Sequence, residues 1–76
     1  MNEIDLHGMY ADDAKKYLND QISRLPKGTL SVDVIHGYNQ GTALKKMVMA
    51  FKHERIERKI IGLNQGVTTF ILKKDR

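Results

Sequence analysis

The sequence predicts an α/β fold, a two-layer sandwich of order βαβαββ with two helices on one face of a mixed four-stranded sheet. Three observations predict it. Runs of alternating or β-branched residues occur at residues 3–7, 30–36 and 67–72. Two intervening stretches carry apolar residues at steps of three and four. The first two strand runs each end in His-Gly and give way to a helical pattern, so one strand–turn–helix unit occurs twice.

In the first strand, residues 3–7, Ile4 and Leu6 share one side and Glu3, Asp5 and His7 the other. Gly8 ends it. From about Tyr10, the residues Ala11, Ala14, Leu18, Ile22 and Leu25 form the stripe of the first helix. Asp12 and Asp13 in its first turn and Arg24 in its last suit the helix dipole, and Pro26-Lys27-Gly28 stops it. Residues 30–36 form the second strand, followed by a loop over 37–41. Leu44, Met47, Val48 and Phe51 mark a second helix that is expected to end near His53. Residues 54–58 read as a charged connector, and Ile60-Ile61 as a short third strand. Asn64-Gln65-Gly66 makes a turn into the last strand, residues 67–72, which runs antiparallel.

Successive right-handed crossovers put both helices on one face. Ile4, Leu6, Val32, Val34, Phe70 and Leu72 should then face the helices. Glu3, Asp5, Ser31, Asp33, Thr69 and Ile71 should line the open face. Tyr17, Phe51 and Phe70 read as core or near-core, and His53 as an exposed residue at a helix C-terminus.

Seventy-six residues make one domain, 1–76, with one small core. The chain reads equally as a complete small protein or as a domain of a longer one. Without cysteine it has no disulfide and no thiolate metal site. No apolar run approaches the roughly 20 residues that span a bilayer, and no signal peptide is visible, so a cytoplasmic protein is expected. The formal charge is +4. Between Lys45 and Lys59 stand six basic residues and two acidic ones, while elsewhere seven of each sign cancel. Such a cluster is either the footprint of a polyanion-binding face or a solvated helix face.

Ligands of open α/β sheets bind beyond the C-terminal ends of parallel strands. His36 stands at such an end. Gly37 and Gly41 let the backbone approach a ligand, Asn39 tolerates positive φ, and Thr42 suits a helix start. Lys45 and Lys46 add charge. The loop is a candidate phosphate site; the alternative is a tight connection whose glycines serve geometry alone. It lacks the Walker spacing, which argues against nucleoside triphosphate hydrolysis. Tyr38 could stack on a base or close over the loop. Asp5 and His7, two apart on a strand, point the same way, and with His36 they form a candidate acid–base cluster. The competing reading has Asp5 accepting turn N–H groups and His7 ending a strand. Two ligands are too few to define a metal site, and magnesium dependence does not follow from the sequence.

The segments Ile4-Asp5-Leu6-His7-Gly8 and His36-Gly37-Tyr38-Asn39-Gln40-Gly41-Thr42-Ala43-Leu44 resemble the two signature segments of the small MutS-related (Smr) domain family, and Asn64-Gln65-Gly66-Val67-Thr68-Thr69-Phe70 resembles its final Gly-x-Thr strand. The resemblance covers essentially the whole chain. It implies a βαβαββ sandwich similar to the C-terminal domain of bacterial initiation factor three, nucleic-acid binding, and nicking or endonuclease activity on DNA or RNA. Carried over, Asp5, His7 and His36 take catalytic roles, and Gly8, Gly37, Tyr38, Asn39, Gly41, Thr42, Lys45 and Lys52 hold the nucleic acid. Asn39 stands where the family has a glycine, in a loop one residue longer. Lys45 and Lys52, seven apart, should lie along one helix edge. The alternative is a non-catalytic module docking on nucleic acid or the ribosome through the same surface. In either case a monomer is expected. A third reading, an enzyme acting on a small phosphorylated metabolite, rests on the loop alone.

Overall fold

The computed structural model describes residues 2–37, 43–62 and 66–74. The elements run β1 (Glu3–Asp5), α1 (Ala11–Arg24), β2 (Ser31–Ile35), α2 (Ala43–Ala50), β3 (Ile56–Ile61) and β4 (Val67–Leu72). They form one sheet of order β1-β2-β4-β3. β1 and β2 are parallel, and β4 runs antiparallel to both β2 and β3.

The alternation expected from the sequence sets the two faces. Ile4, Leu6, Val32, Val34, Phe70 and Leu72 are buried, and they share a core with Ala14, Leu18 and Ile22 of α1 and Leu44 and Val48 of α2. Phe51 lies parallel to Phe70, with ring centroids 6.2 Å apart. On the other face Thr69 donates to Asp33 Oδ1 at 2.7 Å, and Glu3, Asp5 and Ser31 are exposed.

Four expectations need correction. Residues 56–58 belong to β3 and are not a connector. A bulge between Ile56 and Arg58 breaks the alternation that would have marked the strand. α2 ends at Ala50, short of His53, because Lys59 reaches across from β3. Its ammonium donates to the carbonyls of Met49 (2.7 Å) and Phe51 and lies 5.6 Å from the Phe70 ring centroid. Tyr17 is exposed rather than near-core. His53 is not an exposed helix terminus: it stacks on Phe51, and its Nδ1 accepts the Arg55 backbone N–H at 3.1 Å.

Arg55 does for α1 what Lys59 does for α2. Its guanidinium donates to the carbonyls of Ile22 (2.8 Å), Leu25 (2.7 Å) and Pro26 (3.1 Å). Two of the six clustered basic residues thus serve as helix C-caps rather than as a polyanion-binding face.

Candidate nucleic-acid interface

The two His-Gly corners meet at the ends of the parallel strands. Leu6 N–H donates to Ile35 O at 2.7 Å, just beyond the β1–β2 ladder. The first corner then turns: Asp5 Oδ1 accepts the His7 backbone N–H at 2.9 Å, Gly8 adopts φ +83°, and Met9 N–H reaches Leu6 O at 3.0 Å. The Asp5 carboxylate therefore fixes the peptide of His7, and the imidazole stays exposed.

At the second corner the N–H groups of His36 and Gly37 both donate to Gly66 O, at 2.9 and 3.0 Å. This pins the corner to the turn before β4. His36 is only 3% exposed. Its Nδ1 lies 2.9 Å from Gly37 O, and its Nε2 lies 3.0 Å from Thr68 Oγ1. A carbonyl only accepts, so this geometry assigns the proton to Nδ1, and in the neutral ring Nε2 accepts from the Thr68 hydroxyl. The Gly-x-Thr segment is the partner of the second His-Gly, a long-range pairing that sequence spacing alone does not reveal.

Gly37 links the corners. Its φ of +71° disfavours any side chain, and a Cβ there would stand 2.9 Å from Cδ2 of His7. The exposed imidazole thus rests on the backbone of the second corner. Asp5 meets the His7 peptide and Gly37 meets the His7 ring, while the two ring nitrogens of His36 are bonded to Gly37 O and Thr68. Tyr38, Asn39, Gly41 and Thr42 lie outside the described residues.

The two helix starts differ in charge. α1 carries Asp12 and Asp13 in its first turn, whereas α2 has no acid there and has Lys45 and Lys46 close to its start. Lys52 is not on the same helix edge as Lys45, because α2 has ended. It borders a groove between the helices with Asp12 and Lys15. Lys59 has its pKa lowered from 10.5, first by burial and then by the charge of Lys52.

Ser23 and His53 form a pair that sequence reading missed. Ser23 Oγ lies 3.1 Å from His53 Nε2. Because Nδ1 accepts from Arg55, Nε2 carries the proton and donates to Ser23, whose hydroxyl in turn donates to Asn19 O at 2.9 Å. The imidazole cannot take the serine proton in this arrangement, so the pair braces α1 and is not an activated nucleophile. Among the described residues no three His, Asp or Glu side chains converge as a metal site. Among them, no helix is long and apolar enough to cross a membrane.

No curated protein matches the chain in sequence. Among solved structures, the Smr domain of MutS2 from Thermus thermophilus superposes with a TM-score of 0.73 at 19% identity, over 96% of this chain and 99% of that one. The likeness covers the whole sandwich. The family model of the Smr domain matches residues 4–70, a span that includes both corners and most of β4. The chain belongs to the Smr domain family.

Proposed function

We propose that this chain binds nucleic acid where the two His-Gly corners meet and nicks the phosphodiester backbone there. The observation that carries the reading is the exposed imidazole of His7 lying on Gly37. Membership of the Smr family supports nucleic acid as the ligand class.

In this reading the phosphate is held by the loop of Tyr38, Asn39, Gly41 and Thr42 and by the start of α2, with Lys45 close by and Lys52 adding longer-range attraction. Gly8 and Gly37 keep the approach open. His7 takes the proton from the attacking oxygen, either water or the 2′-hydroxyl of RNA, as a new P–O bond forms and the bond to the leaving oxygen breaks. Asp5 positions His7 through its peptide. His36 is a positioning residue that holds Gly37, and so the floor under His7. A magnesium ion would find one carboxylate here, Asp5, and would take its remaining ligands from phosphate and water, where it would offset charge on the phosphate. No step above depends on it.

One observation favours a second reading, a non-catalytic module that docks on nucleic acid or on a ribonucleoprotein such as the ribosome. Both ring nitrogens of His36 and one oxygen of Asp5 are engaged in holding the fold. Incubation with supercoiled plasmid and with structured RNA, with and without magnesium, separates the two. Cleavage predicts nicked or shortened product that falls about 100-fold or more in His7→Ala while binding persists. Salt-sensitive binding with no product on any substrate supports the docking module instead. Absence of binding removes both.

A further inference from the structure

Tyr10 is 83% exposed, the most exposed of the large hydrophobic side chains among the described residues. It occupies the N-cap position of α1 and makes no side-chain cap bond there. Ser, Thr, Asn or Asp would stabilise that position, and an aromatic ring left in water gains nothing from burial. The fold therefore does not account for the ring. It stands three residues beyond His7, just after the Gly8 turn.

The groove between the helices begins at the next residue. Ala11, Met47, Ala50 and Phe51 supply its apolar lining, and Lys15 and Lys52 flank it. It continues past Lys16 and Asn19. The two overlapping parts measure about 470 and 510 Å³, the scale of a small ligand or of a nucleotide or two. Asp12 is the one carboxylate among the lining residues. Among the described residues none of Lys15, Lys16 and Lys52 makes a salt bridge.

We infer that the nucleic acid is single-stranded and that it leaves the His7 corner along this groove, with one base stacked on Tyr10 and its phosphates following Lys15, Lys16 and Lys52. A basic groove combined with an exposed aromatic ring is the chemistry that grips unpaired strands. A duplex keeps its base faces stacked on one another, so the Tyr10 ring would find no partner there, and a lining of alanine, methionine and phenylalanine would meet only phosphates. The inference rests on the proposed function and narrows its substrate class.

Fluorescence anisotropy tests it, with a labelled cytidine–adenosine repeat RNA of about 12 nucleotides and the duplex it forms with its complement. The single strand is expected to bind more tightly than the duplex. Tyr10→Ala should weaken single-strand binding about tenfold and leave duplex binding unchanged, and Tyr10→Phe should restore it. Replacing Lys15 and Lys52 together by glutamine should flatten the salt slope by about 1.4. These side chains lie on the surface, and circular dichroism checks that each variant folds. Equal affinity for the two probes overturns the inference, as does a Tyr10→Ala variant that binds the single strand as well as the parent. If the parent binds either probe and the groove variants change nothing, the groove falls and the corner stands. If the parent binds neither, both fall.

Discussion

The chain uses the same dipeptide twice and to opposite ends. At the first corner the imidazole is exposed and its glycine has nothing within 4 Å of where a Cβ would be. At the second the imidazole is 3% exposed, bonded at both nitrogens, and its glycine is pressed by the ring of the first. One histidine is free to meet a ligand, and the other holds the surface on which the first rests. Residue type at a strand end does not fix a role; the partners that the rest of the fold supplies do.

Four measurements break or sharpen this contrast. The largest effect on folding is expected for His36→Ala. It empties a buried site and removes the ring's hydrogen bonds to the Thr68 hydroxyl and the Gly37 carbonyl, a loss of about 3 kcal/mol in urea unfolding. A loss below about 1 kcal/mol would mean that the second corner is not held by its ring. Gly37→Ala follows at about 2 kcal/mol, from positive φ and the contact with His7. Gly8→Ala, with a similar φ and open space around it, should cost only about 1 kcal/mol. Equal costs would mean that the His7 ring does not lie on Gly37. His7→Ala should change stability by no more than about 0.5 kcal/mol, while removing whatever cleavage the protein has. A large loss of stability there would erase the distinction between the corners.

The smallest effect concerns charge rather than imidazole, and it extends the contrast to the lysines. Lys45 belongs to the proposed surface, whereas Lys59 is held between carbonyls and ring. Burial lowers the Lys59 pKa below 10.5, its value when unfolded. Between the two values the unfolded chain binds more protons than the folded one, so stability should rise as pH climbs through that window. Lys59→Met should abolish this rise, read as the difference between the two proteins' unfolding free energies as pH is raised toward 10.5.

Most of the fold was legible because alternation and helical spacing are local. Ile4, Leu6, Val32, Val34, Phe70 and Leu72 all face the helices as their parity requires. What could not be read depends on distant partners. β3 carries Glu57, Arg58 and Lys59, which suit an edge strand and disguise it as a connector, and its bulge hides the register. The end of α2 is set by a lysine ten residues beyond Met49. The site divides in the same way. His-Gly spacing brought His7 and His36 to one edge of the sheet, but nothing local distinguished the exposed ring from the buried one, since Thr68 and Gly66 come from the far end of the chain.

Arg55 and Lys59 have a consequence for how the domain comes apart. An outer strand is ordinarily the first part of a sheet to fray, at little cost to the remainder. Here the strand and its lead-in carry the cations that close both helices, so peeling it away would strip the last carbonyls of α1 and α2 together. Melting should therefore be cooperative, with amide protons at the two helix ends and along that border exchanging at a common rate.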